Sequence, residues 1–179
     1  ARSTALFAGD ESNSAFNHNS FISNSGRITL SGADAVGVSL GGNDFLAPWD
    51  LDDASGNIAV FSFENSGTVT GGADTGPLVT FRNFNAAGEN RVVNAPNGSL
   101  LADLATGGVA IEGTNGGETI FNFGAIRGDV MLMGGNDQYV VNATQSYEGG
   151  TINGGTGTDL ISLSFTDGEV GVFDAAPLT

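Results

Sequence analysis

The stretch with the densest chemical signal is Gly154-Gly-Thr-Gly-Thr-Asp-Leu-Ile-Ser162, which fits the nonapeptide G-G-x-G-x-D-x-U-x at every specified position. Successive copies of that pattern hold Ca²⁺ between stacked aspartates and the carbonyls of glycine-rich turns, because a hard cation needs several oxygens from a flexible loop. One copy alone makes no site. Gly134-Gly-Asn-Asp137 and Gly41-Gly-Asn-Asp44 keep the glycine two places before the aspartate and lose the earlier ones. Asp137 and Asp159 are 22 residues apart, close to the spacing at which the chain repeats itself, so they are expected to be neighbours. They are the candidate ligands for calcium, the one cofactor the sequence points to; the competing reading is a glycine-rich corner with a solvated aspartate.

Two other constellations bear on chemistry. Residues 43–57 form an insertion carrying the single Trp and a cluster of acids, so Trp49, Asp50, Asp52 and Asp53 are expected to form a binding loop on one flank. Paired carboxylates on an outer face would suit cleavage of a polysaccharide, and Asp50, Asp52, Asp53, Asp74 and Glu112 are the acids available for it. Besides phenylalanine, only Trp49, Tyr139 and Tyr147 are there to stack on sugar rings. A Ser-His-Asp triad would have to recruit His18, the only histidine, from a Ser/Asn-rich segment upstream of every candidate partner. No catalytic residue is assigned.

Composition narrows the classes further. The net charge is −15, from 20 acids against five arginines and no lysine, which argues against nucleic acid and against an anionic membrane surface. There is no cysteine, hence no disulfide, thiolate ligand or thiol nucleophile. No apolar run approaches the length of a membrane-spanning helix. Twenty-nine glycines without a period of three, in a chain that is 40% hydrophobic, punctuate something folded.

The elements that must carry these residues are short strands. Residues 120–123, 130–133 and 139–141 are apolar runs bounded by Gly and Asn, and residues 36–40, 78–81 and 109–111 alternate as strands with one buried face do. The nearest helical pattern, residues 99–106, sits where a strand is expected. A motif of Gly followed by x-apolar-x recurs at Gly26, Gly67, Gly98, Gly124 and Gly150, at intervals of 41, 31, 26 and 26 residues. Recurrence of this kind points to a solenoid, since each coil buries its inward side chains against the coils above and below. Phe63, Phe81, Phe121, Phe123, Ile28, Val69, Ile126 and Ile152 are expected inside. Asn and Gly at the Asn24–Gly26 and Asn65–Gly67 corners tolerate a left-handed backbone, and stacked asparagines can hydrogen-bond from coil to coil.

Ile22-Ser-Asn-Ser-Gly-Arg-Ile-Thr-Leu-Ser-Gly32, Phe63-Glu-Asn-Ser-Gly-Thr-Val-Thr-Gly-Gly72 and Val36-Gly-Val-Ser-Leu-Gly-Gly-Asn-Asp44 resemble the degenerate repeats of bacterial autotransporter passenger domains, the secreted parts of type V secretion proteins. The nonapeptide at 154–162 resembles a single RTX-type repeat. The passenger resemblance implies a short, all-β, right-handed parallel β-helix of roughly five to seven coils. Residues 1–20 are then an N-terminal cap or frayed segment, 21–165 the β-helix, and 166–179 a linker or truncation. It also implies a non-catalytic module for surface display, adhesion or self-association, extracellular or on the surface of a Gram-negative bacterium, with an outer-membrane β-barrel beyond Thr179. Its partner would be a host surface protein, a glycan or another copy meeting it at the solenoid edges. The alternatives are a polysaccharide-active enzyme on the same fold and a calcium-binding β-roll.

Overall fold

The computed structural model describes residues 4–8, 20–40, 60–82, 89–142 and 149–164. Among them are seventeen β-strands and no α-helix. In chain order the strands are β1 Thr4–Ala8, β2 Ser20–Asn24, β3 Arg27–Leu30, β4 Val36–Leu40, β5 Val60–Asn65, β6 Thr68–Gly71, β7 Val79–Phe81, β8 Glu89–Asn94, β9 Ser99–Leu101, β10 Val109–Thr114, β11 Glu118–Asn122, β12 Ala125–Arg127, β13 Asp129–Gly135, β14 Gln138–Asn142, β15 Ile152–Asn153, β16 Thr156–Gly157 and β17 Leu160–Ser164. The helical pattern at 99–106 divides into β9 and one 3₁₀ turn, Leu104–Thr106, capped by the Asp103 carboxylate.

The strands form three parallel sheets. The first runs β1-β4-β7-β10-β13-β15, with β16 also on β13; the second runs β2-β5-β8-β11-β14-β17; the third holds β3, β6, β9 and β12. From β1 to β11 each strand therefore pairs with the strand three places later, and the chain visits the three sheets in rotation. Sheet-forming begins at β1, which pairs with β4, ahead of residue 21.

Alternation along the strands builds one core between the sheets. Inward side chains stack in columns: Val38, Val79, Ile111 and Val130 from the first sheet, Phe63, Val92, Ile120 and Tyr139 from the second, and Val69, Leu100 and Ile126 from the third, all at most 1% exposed. The columns end in half-buried Ile22, Ile28, Ile152 and Ile161 at the first and last circuits. β4 departs from simple alternation, being buried on both faces.

Two of the expected inward phenylalanines face out. Ile120 and Asn122 take the inward positions of β11, so strict alternation turns Phe121 outward, and Phe123 follows the same phase beyond the strand end. Phe63 and Phe81 are inside as expected. The stretch from 120 to 141 carries four strands rather than three, because Ala125–Arg127 pairs with Ser99–Leu101.

The Gly-x-apolar repeat is confirmed at four of its five positions. Ile28, Val69, Leu100 and Ile126 are in register in the third sheet. Ile152 instead pairs with Val130 in the first sheet, so Gly150 is not an equivalent corner. The final circuit is 22 residues long, as the Asp137–Asp159 contact shows, and the matching interval of 26 at Gly150 is a coincidence of spacing.

The corner glycines also serve a different purpose from the one expected. Gly26, Gly67, Gly98 and Gly124 have no positive φ. A β-carbon on Gly67 would overlap the Gly26 carbonyl, and one on Gly124 would overlap the Gly98 carbonyl. Successive corners touch backbone to backbone, which leaves no room for a side chain.

The asparagines before these corners form a continuous ladder. Asn24 donates from Nδ2 to Asn65 Oδ1 at 2.8 Å, Asn65 to Asn94 at 2.9 Å, and Asn94 to Asn122 at 3.0 Å. Asn122 closes the series by donating to the Tyr139 hydroxyl at 3.3 Å. All four asparagines are buried, so each amide finds its partner in the circuit above or below.

Candidate functional site

At the opposite end of the second sheet's strands a second polar column faces inward. It comprises Asn90, Glu118, Asp137 and Asp159, each two residues before an inward apolar residue: Val92, Ile120, Tyr139 and Ile161. The last three follow glycine-bearing corners, which let the chain pass from the first sheet to the second with a carboxylate turned in.

The column is held together by its own hydrogen bonds. Asn90 Nδ2 donates to Glu118 Oε1 at 2.6 Å, and the Thr114 hydroxyl donates to the same oxygen at 2.7 Å. The Glu118 amide donates to Asp137 Oδ1 at 2.8 Å, and the Asp137 amide to Asp159 Oδ1 at 3.0 Å. Each aspartate thus caps the backbone of the preceding circuit. Asn90, Glu118 and Asp137 are at most 2% exposed, while Asp159 is open to solvent.

Three buried oxygens in this column, Asn90 Oδ1, Glu118 Oε2 and Asp137 Oδ2, have no hydrogen-bond partner. Asn90 Oδ1 can only accept, and a carboxyl oxygen donates only when protonated, so with both carboxylates ionised the column is short of donors or of positive charge. Burial pushes the Asp137 carboxyl up to about 7, with the neighbouring charges of Glu118 and Asp159 raising it further against the opposing effect of the Glu118 amide. Burial also raises Glu118, against the hydrogen bonds from Asn90 and Thr114. Gly113 is what admits Glu118: a β-carbon there would lie 2.6 Å from Glu118 Oε2 and 2.7 Å from the Leu132 carbonyl. Beyond Asp137 a cavity of about 250 Å³ opens between the last strands, lined by Leu132, Asp137, Tyr139, Ile152, Asp159 and Ile161 among others.

The expected neighbours Asp137 and Asp159 are therefore in adjacent circuits. Glu118 and Asn90 were not anticipated, although the acid-x-apolar spacing of Glu118-Thr-Ile120 repeats that of Asp137-Gln-Tyr139. Among the described residues no group of three or more His, Asp or Glu is placed to hold a metal ion. Trp49, Asp50, Asp52 and Asp53, with His18 and Tyr147, lie outside the described residues. Asp74 is exposed in the turn before β7 with φ 61°, and Glu112 on β10 accepts a hydrogen bond from Thr80 at 3.1 Å. Tyr139 is buried, so it offers no ring to a sugar. No helix among the described residues is long and apolar enough to cross a membrane. No protein-family model, curated protein or solved structure matches this chain.

Proposed function

We propose that the chain is a short right-handed parallel β-helix, a non-catalytic extracellular module of a surface-displayed passenger that serves display, adhesion or self-association on a Gram-negative bacterium. The observation carrying this reading is the rotation of strands through three wholly parallel sheets, with like residues stacked at each level. Parallel strands joined within one sheet take right-handed connections almost always, which supports the hand. Among the described residues β12, β15 and β17 pair on one edge only, which supports association, because free strand edges attract further strands. In the polar column Asp137 and Asp159 each cap a backbone amide, and Glu118 and Asp137 are buried, which supports a non-catalytic role over polysaccharide cleavage.

Sedimentation velocity and binding to immobilised glycans and surface proteins test this reading together. Concentration-dependent association or saturable binding is expected. A monomer that binds nothing and releases reducing sugar from a polysaccharide would overturn it in favour of the enzyme.

A second reading is favoured by the adjacency of Asp137 and Asp159 beside the cavity: the last two circuits take calcium in the manner of a β-roll. Millimolar Ca²⁺ is then expected to raise Tm, since a ligand held only by the folded chain stabilises it by RT ln(1 + [L]/Kd). An unchanged Tm removes this reading.

A further inference from the structure

We infer that the outer face of the second sheet, centred on Phe121, is a docking platform for a neutral polysaccharide; this deepens the adhesive reading and rests on it. The face is built by alternation. With Ile120 and Asn122 turned into the core, Phe121 stands outward, in register with Val93 on one side and Val140 on the other. Phe123 stacks beside it, ring centroids 6.2 Å apart and planes 26° from parallel. The exposed Arg91 lays its guanidinium over the Phe121 ring at 4.9 Å. Neither phenylalanine belongs to the core cluster, and the two adjacent rings are partly exposed on the outer face.

Size and charge select the occupant. Six strands spaced by about 4.8 Å, each about 17 Å long, give a face of roughly 400 Å², against the roughly 800 Å² per partner that a stable protein interface needs. A second copy is therefore too large a demand for this face. A polyanion is disfavoured by the chain's net charge of −15. The rings and the single cation among the described residues of this face suit a neutral polymer of flat rings. Its C–H faces suit Phe121 and Phe123, and its hydroxyls suit the planar fork of Arg91 together with Thr119 and Gln138, which follow Arg91 along the same outward row.

Affinity electrophoresis through gels containing mixed-linkage β-glucan, galactomannan, dextran or polygalacturonate tests the assignment. Retardation by at least one neutral polysaccharide is expected, with affinity reduced at least tenfold in the Phe121→Ala/Phe123→Ala double variant and retained in Phe121→Trp, the far-UV spectrum being unchanged and unfolding still cooperative in both. Retardation by polygalacturonate alone, none in any gel, or equal retardation of the double variant would overturn it. If the wild-type chain is retarded in no gel yet still self-associates or binds an immobilised surface protein, this platform is wrong and the adhesive reading stands. A wild-type chain that neither binds nor self-associates fails both.

Discussion

Ile126→Asp is expected to abolish cooperative folding, whereas Phe121→Asp, five residues away, is expected to leave the fold intact. Ile126 is fully buried and stacks on Leu100 in the third-sheet column. Truncating such a side chain costs about 2–5 kcal/mol, and an unpaired carboxylate in its place adds a desolvation cost of several kcal/mol more. A domain's whole stability is typically about 5–15 kcal/mol, so the sum removes most or all of it. At Phe121 the new carboxylate faces solvent beside Arg91, and the loss is a surface cation–π contact of about 1 kcal/mol. Urea unfolding followed by far-UV circular dichroism separates the two. A cooperative transition for Ile126→Asp within about 1 kcal/mol of wild type, or an unfolded Phe121→Asp, would show that the register of β11 and β12 is wrong.

The second large effect is a loss of stability as pH rises through neutrality. The Asp137 carboxyl, pushed up to about 7 by burial, and Glu118, raised by the same cause, hold protons in the folded chain that the unfolded chain has already released above its ordinary range near 4. Where the folded state binds more protons, stability falls with rising pH. The contribution is therefore fully present below about pH 4, declines as pH rises, and is gone once pH passes about 7. Tm is expected to be several degrees lower at pH 8 than at pH 5. Asp137→Asn keeps an oxygen for the Glu118 amide and removes the charge, so it should flatten the profile and raise Tm at pH 8. An Asp137→Asn profile parallel to wild type would mean that Asp137 titrates normally and that the slope comes from the general excess of acids.

The strands and much of their stacking were readable because local rules suffice for them. Apolar runs bounded by Gly and Asn marked residues 120–123, 130–133 and 139–141, period-2 alternation marked 36–40, 78–81 and 109–111, and a motif anchored on glycine marked the third sheet at Ile28, Val69, Leu100 and Ile126. Alternation fails by a single residue, and a slip of one moves a side chain to the other face; that is how Phe121 and Phe123 came to be expected inside. Bulk and hydrophobicity alone favoured the core, and only the pairing of Ile120 with Val92 and Tyr139 settles the phase. The repeat was misread at Gly150 because circuits differ in length, and nothing local distinguishes a corner leading to the third sheet from one leading to the first.

Asp137 and Asp159 were legible as neighbours because both follow glycine-rich turns at a separation of 22 residues, close to the interval at which the chain repeats. Glu118 was not, since a lone glutamate at a strand start is ordinarily solvated. Its burial depends on the absent side chain of Gly113 on another strand and on Asn90, 28 residues earlier. Gly113 is near in the chain, but the contact with Asn90 is a relation across circuits, which no short window along the chain contains.

The asparagine ladder has a sense. Every rung donates toward the higher residue number, from Asn24 through Asn122 to Tyr139, so the amide dipoles add rather than cancel and each bond polarises the next. The stack is an electrically polar rod with unlike ends, an oxygen facing one way and a donor the other. Its parallel ladders impose the same asymmetry, since an edge is continued as a parallel ladder only by a strand running in the same direction. Two copies joined end to end by continuing these ladders must meet head to tail, by a heterologous contact that leaves one free end of each kind. Growth by that route yields an open filament, not a closed two-fold dimer.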